Sequence, residues 1–318
     1  MTLRRIAFGA ATLSAARIFQ LATSFVAVPF LARILTPHDF GLVAMALSFV
    51  MFFTYIGDAG LGRSLVRVSA DDRDAWSSAH WAVMALTVAL AVFITLLAGP
   101  VAAFFNEPRL EGIVHLLAVA PILMGITEIP ASSLLQKEKF HWLAGAEFFS
   151  ALAGVVVALW LAVAGAGALA LVWQHIAQRL VKMIFILATS GFRPAIVLKW
   201  DKLQEHLRFA GDTVGWSMMT FVSRQADTLI VGKFLGAATL GLYNIAVRVM
   251  QLPIAIFGQS LNSALYSRMV HLRDDKKALR ELVMTATLAQ SAFVFPPIAA
   301  IAASSDAFFE LLLSDRWH

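Results

Sequence analysis

The chain has 318 residues, 59% of them hydrophobic and only 14% charged, with a mean hydropathy of +0.76. Soluble domains carry about a quarter charged residues, so an ordinary water-soluble globule is excluded; the absence of cysteine excludes disulfides, thiolate metal sites and cysteine nucleophiles. The formal net charge of +5 and the pI near 9.7 imply no nucleic-acid partner, because the basic residues sit in short loops between apolar runs, where they set orientation in a membrane.

Apolar runs of about 18 residues or more read as membrane-spanning helices, since the bilayer interior offers no water to backbone groups. Nine are expected, over roughly 12–34, 41–62, 79–101, 112–135, 143–164, 167–188, 209–231, 240–263 and 282–303. The first follows Arg4 and Arg5 and continues to Leu35, too long for a signal-peptide core, and reads as an uncleaved first span. Thr36-Pro37-His38-Asp39, Asn106-Glu107-Pro108 and Gly165-Ala166-Gly167 suit tight hairpins. Trp76, Trp142 and Trp200 fall near helix ends, as interfacial anchors do. After the sixth span, Trp200, Leu203, Leu207 and Ala210 form an apolar stripe flanked by charges, the pattern of an amphipathic helix on the membrane surface. The chain is thereby divided into an N-terminal lobe over 1–190 with six spans, a linker helix over 191–208, and a C-terminal lobe over 209–318 with three.

Orientation follows from Lys and Arg. Arg33, Arg109, Lys233 and Arg316 lie on one side and Arg224 and Arg248 within spans; the other nineteen of 25 lie on the opposite side. That bias places the N-terminus in the cytoplasm of a multi-pass membrane protein.

Shifting the chain by 200 residues superposes Leu35, Gly41, Leu42, Ala46, Leu61 and Leu65 on Leu235, Gly241, Leu242, Ala246, Leu261 and Leu265. Arg33 falls on Lys233, and Asp71-Asp72-Arg73-Asp74 is answered a few residues out of register by Asp274-Asp275-Lys276-Lys277. Six spans separate the copies, and an even number preserves orientation. The expected fold is therefore an all-α transmembrane bundle of two parallel six-helix repeats, related by a pseudo-two-fold axis along the membrane normal. The second repeat is read as incomplete, because the chain stops where its fourth span would begin.

Ionisable residues within or at the ends of spans are Arg17, Asp58, Glu128, Glu147, Arg224, Asp227 and Arg248. Each costs roughly 2.5–3.5 kcal/mol at a helix centre on insertion scales, so they are expected to face a watery cavity or one another. Arg224 and Asp227 share a helical face and can pair; Arg17 can snorkel; Asp58 can cap a loosened helix end. Glu128 and Glu147 remain open between ion pairing and binding a coupling cation or proton. Gly57, Gly60, Gly62, Gly232, Gly236 and Gly241 lack the lysine-serine ending of a phosphate loop and read as sites of close helix approach or hinge bending. The eight histidines show no metal-ligand spacing, and no cofactor, metal or catalytic constellation is expected.

Lys233-Phe234-Leu235-Gly236, Leu240-Gly241-Leu242-Tyr243-Asn244-Ile245-Ala246 and Leu252-Pro253 resemble the signature of Wzx-type polysaccharide flippases, of the multidrug/oligosaccharidyl-lipid/polysaccharide exporter superfamily. Asp227 stands where that signature carries an upstream aspartate. Asp39-Phe40-Gly41-Leu42, Asp58-Ala59-Gly60-Leu61-Gly62 and Leu135-Gln136-Lys137-Glu138-Lys139-Phe140 resemble other family segments, as does the stretch of Leu203, Leu207, Arg208 and Phe209. The resemblance implies the plasma (inner) membrane of a bacterium, and two six-helix lobes around a central cavity that opens alternately to each side. It implies, as substrate, an oligosaccharide on a polyprenyl pyrophosphate, such as an O-antigen, capsule or exopolysaccharide unit, and admits membrane lipids and polysaccharide polymerase or export proteins as partners. A pyrophosphate is anionic, so Arg17, Arg224 and Arg248 are candidates to line that cavity. The family is longer by about three helices. A drug or cation exporter of the same superfamily, a non-transporting fragment, and a membrane-bound glycan transferase or polymerase are the alternatives; the last would need a sizeable loop with catalytic His, Asp or Glu.

Overall fold

The structure, a computed structural model, describes residues 3–57, 60–65, 69, 72–253, 272, 275–304 and 317. Its elements are α1 (Leu3–Ile34), α2 (Pro37–Gly57), α3 (Leu61–Leu65), α4 (Arg73–Phe105), α5 (Arg109–Leu117), α6 (Val119–Gln136), α7 (Phe140–Val163), α8 (Ala168–Ser190), α9 (Trp200–Pro253) and α10 (Lys276–Ala303), with no strand among the described residues. The chain forms two compact units, Met1–Leu242 and Tyr243–His318.

Eight segments among the described residues are long and apolar enough to cross a bilayer, against nine expected. The difference is one of counting: α9, 54 residues in all, is two helices joined across a kink, so the spans expected over 209–231 and 240–263 adjoin without a loop as far as Pro253, where the described residues stop. At 1.5 Å per residue a straight rod of that size would measure about 80 Å, far more than the roughly 30 Å of hydrocarbon. The run is broken at Gly236 (φ 81°, ψ 175°), inside the expected link. Only glycine enters that backbone region readily. The amphipathic stretch after Trp200 differs from expectation too: its backbone continues as the first turns of α9 instead of forming a separate helix.

Elsewhere the boundaries follow local chemistry. The span expected over 41–62 ends at Gly57, and Gly60, at φ +69°, reverses the chain before the single turn of α3. The span expected over 112–135 is divided into α5 and α6 at Ala118. Pro121 explains this, since its ring crowds the carbonyl four residues back, at Leu117. The 33 residues of α4 span about 50 Å, so its first turns extend beyond the hydrocarbon. In the first unit α7 packs between α1 and α8, α4 packs on α5 and α6, and α6 also meets α8. Small residues permit these crossings: a Cβ on Gly154 would strike Gln178 of α8, and one on Gly125 would strike Thr87 of α4. Leu96, Trp160 and Val163 are 70, 71 and 76% exposed, which suits lipid and would not suit water.

In the second unit, α10 begins at Asp275, whose carboxylate accepts from the N–H groups of Lys277 (3.1 Å) and Ala278 (3.0 Å). In the first, Asp72 caps α4 by accepting from the N–H of Ala75 at 3.1 Å. The two matched acidic loops thus do the same work, each capping the third span of its copy.

Candidate functional site

The two copies of the repeat meet along a seam between α2 and α9. Ser48, at 2% exposure, donates to the Gln225 side-chain oxygen at 3.1 Å. Phe221 packs edge-on against Phe52, with centroids 5.2 Å apart, and against Tyr55, at 6.1 Å. Gly60 is seated against the Thr213 side chain.

At the far end of this seam the repeat becomes visible in space. A Cβ on Gly41 would overlap the backbone carbonyl of Ala237, and a Cβ on Gly241 would overlap that of Pro37. Under the 200-residue shift Gly41 corresponds to Gly241 and Pro37 to Ala237, so each contact is the other's mate. Such reciprocity is the mark of a two-fold relation between matching surfaces. Gly232 packs closely as well: a Cβ there would come within 3.2–3.3 Å of Leu240, Phe105 and Met45. Lys233 donates to the carbonyl oxygen of Phe104 and sits 4.7 Å from the centroid of its ring. The charge bias assigns this end to the periplasm. Asp39 braces it, accepting from the N–H (2.9 Å) and hydroxyl (2.7 Å) of Thr36 and from the Ala168 N–H that opens α8 (3.1 Å); His38 meets Glu107 at 3.0 Å.

The cytoplasmic end is built differently. Residues 195–202 are strapped onto the start of α4: the Trp81 indole donates to the Ala195 carbonyl (2.8 Å), Ser77 accepts from the Ala195 N–H (3.0 Å), and Ser78 accepts from the Lys199 N–H (2.8 Å). Lys202 pairs with Asp72 at 3.0 Å, and Lys199 with Asp74. The Lys202 ammonium and the Ala75 N–H hold the Asp72 carboxyl below its ordinary range, while the bond to Asp74 raises Lys199.

The candidate ionisable residues are dispersed. Arg17, on α1, and Arg224, Asp227 and Arg248, on α9, are all exposed on their helices. Asp227 accepts from the N–H of Thr228 at 2.7 Å. Glu147 is joined to Lys182 at 2.6 Å and lies close enough to Arg179 to act on it electrostatically. Glu128 is half-buried, and with Ser132 it fills the space beside Gly62. Gly57 lies against Met124. Asp58 lies outside the described residues. The sequence places Asp39 in a hairpin and Gly41 in the repeat and in a family-like segment, but assigns neither a structural role, and it does not show the strap. The 200-residue register held the signal, because it pairs Gly41 with a glycine already marked for close approach.

Residues 30–318 match the model of a family described as polysaccharide biosynthesis protein. The chain belongs to that family. Among curated proteins, this family member is similar to the succinoglycan biosynthesis transport protein ExoT of Rhizobium meliloti, with 26% identity over 92% of the chain and 59% of that protein. It is similar to the lipopolysaccharide biosynthesis protein WzxC of Escherichia coli, with 22% identity over 100% of the chain and 65% of that protein. The teichuronic acid biosynthesis protein TuaB of Bacillus subtilis is 21% identical over 84% of the chain and 56% of that protein. The chain thus spans about three-fifths of the length of these relatives. Its fold resembles that of the lipid II flippase MurJ in an inward closed conformation, with a TM-score of 0.75 and 13% identity over 98% of this chain and 69% of that one. A MATE structure in a bent conformation has a TM-score of 0.51 and 15% identity over 96% of this chain and 73% of that one. The apolar helices and the bacterial relatives place the polysaccharide biosynthesis family member in the bacterial inner membrane as a multi-pass protein.

Proposed function

We propose that the protein flips a polyprenyl-pyrophosphate-linked oligosaccharide from the cytoplasmic to the periplasmic leaflet by alternating access. The observation that carries the mechanism is the reciprocal crossing at Gly41 and Gly241, where two copies of one repeat touch backbone to backbone at the periplasmic end of their seam. Two similar bodies joined along such a seam can rock about it. The substrate class is supported by relatives named for succinoglycan transport and lipopolysaccharide biosynthesis. It is supported as well by arginines exposed on membrane-embedded helices, whose planar guanidinium groups suit pyrophosphate oxygens. Arg17, Arg224 and Arg248 are the residues assigned to this contact.

The test is complementation of a bacterial strain deleted for the corresponding gene, using the full-length protein. Arg224→Ala and Arg248→Ala are expected to weaken transport ten- to hundredfold, the loss of a charged hydrogen bond of roughly 1.5–3 kcal/mol. Lipid-linked units should then accumulate in the cytoplasmic leaflet. Undiminished surface polysaccharide from both variants, at equal protein level, would overturn the assignment.

A further inference from the structure

A cavity of about 370 Å³ opens where the start of α4, the end of α6 and the segment after α8 meet. It shares no lining residue with the α2–α9 seam. Buried Trp76, Ser77 and Ser133 form its floor, and exposed Arg73, Lys137 and Arg193 stand around its mouth. No carboxylate lines it. The acidic neighbours of Arg73 in sequence, Asp72 and Asp74, are engaged by Lys202 and Lys199. The Ser77 oxygen accepts from the Ala195 N–H at 3.0 Å, which leaves its own O–H to donate.

Helix electrostatics account for part of this arrangement but not for all of it. Lys137 is the C-cap of α6, and Arg193 follows the last turn of α8; cations are favoured at helix C-termini. Arg73 is the first residue of α4, where the same field disfavours a cation. Ser133 donates to the Pro130 carbonyl at 2.8 Å, so the lining offers three cations and the Ser77 hydroxyl, a set that calls for an anion with several oxygens. The depth in the membrane narrows the source. This is the end assigned to the cytoplasm, at the level of the interfacial tryptophans. The two helices whose C-terminal ends contribute to the pocket carry exposed apolar side chains in their last turns, Leu135 on α6 and Ile184 and Leu187 on α8, as helices that face acyl chains do. The volume falls at the low end of small-ligand pockets, which run about 300–1,000 Å³, so it holds a headgroup and not a chain of sugars.

We propose that this pocket holds the phosphate group of an anionic lipid drawn from the cytoplasmic leaflet. Basic pockets between membrane helices on this side are suited to such headgroups. The site does not depend on the flipping reading. A bulk phospholipid there would brace the linker against α4, and a polyprenyl pyrophosphate would be held before entering the seam.

The experiment is native mass spectrometry of the full-length protein with added phosphatidylglycerol, cardiolipin, phosphatidylcholine or undecaprenyl pyrophosphate. The triple variant Arg73→Gln, Lys137→Gln, Arg193→Gln is compared with wild type. Retention of at least one anionic lipid should fall on the order of tenfold or more in the variant, with phosphatidylcholine retention unchanged. Selective loss of phospholipid identifies a bulk lipid; selective loss of undecaprenyl pyrophosphate identifies the substrate lipid; either supports the site. Equal retention by both proteins overturns it. So does displacement of every anionic lipid by millimolar inorganic phosphate, which would make the pocket a site for a soluble anion. Thermal unfolding in lipid-free detergent controls for folding; should the triple variant unfold early, the single Arg73→Gln variant, altered only at the exposed mouth, carries the comparison.

Discussion

At the periplasmic end of the first unit the two repeats meet through bare backbone, with Gly41 against Ala237 and Gly241 against Pro37. At the cytoplasmic end the linker is tied to α4 by hydroxyls, indoles and two ion pairs. The contrast bears on which contact can open. Separating the two glycine crossings breaks one described hydrogen bond, that of Lys233 to the Phe104 carbonyl, and parts Gly232 from Met45 and Phe105. Releasing the strap breaks several hydrogen bonds, each contributing about 0.5–1.5 kcal/mol. Under the rocking proposed above, the end with fewer hydrogen bonds is the one expected to open and the strapped end the one expected to hold.

The largest expected effect breaks the first half of the comparison. Gly41→Val and Gly241→Val each place a side chain onto a carbonyl that cannot move without its helix, and overpacking costs about 1–3 kcal/mol or more. Both should hold the periplasmic end apart and abolish export. Because the chain has no cysteine, Met45→Cys provides a clean reporter at a fully buried seam position. Membrane-impermeant maleimide added from the periplasm should label it in either valine variant and not in the parent. The two-fold relation further requires the two variants to behave alike; labelling in one alone would show that the crossing is not reciprocal in function.

How much of this was legible in the sequence differs between the two ends for a physical reason. Apolar length and the Lys/Arg bias reveal spans and orientation, because the bilayer imposes those terms on every residue in turn. The repeat reveals the seam, because both halves of the reciprocal contact carry the same glycine at the same register. The two helices of α9 were legible but the form of their junction was not: a kink at Gly236 and a loop at the same place share one hydropathy pattern. The strap escaped for another reason. Ser77, Ser78 and Trp81 reach Ala195, Val197 and Lys199 across more than a hundred residues, and no local periodicity encodes such pairings. Glu147 was visible as a charge in a span, but its partner Lys182 stands on the next helix, and only the packing of α7 on α8 selects it.

That pair sets the next expected effect, and it separates two readings of Glu147. Glu147→Gln leaves Lys182 without its partner, and the protein should lose about 2 kcal/mol, since removing one member of a partly buried pair strands the other. A thermal melt in detergent would show a lowered Tm, and Lys182→Met in the same protein should restore part of it. An unchanged Tm combined with lost export would instead make Glu147 a coupling-ion residue.

The smallest expected effect tests the strap. Asp72 has its carboxyl held down by Lys202 and by the Ala75 N–H, so its contribution is present above the ordinary carboxylate value of 3.8 and fades as the pH falls below it toward the folded value. The ion pair is partly exposed and contributes less than about 1 kcal/mol; the cap on α4 adds an amount of similar size. Protection of the amides at 195–199 against hydrogen exchange, taken relative to the intrinsic rate at each pH, should therefore fall below about pH 4 in the parent. Asp72→Asn retains an oxygen for the cap but no charge for Lys202, so its protection should be lower at neutral pH and flatter across the acid range. A flat profile in the parent would mean that the hydroxyls of Ser77 and Ser78 and the Trp81 indole hold the strap alone. The durable end of the molecule would then be durable through neutral hydrogen bonds, and its contrast with the glycine crossing would be one of bond number and not of charge.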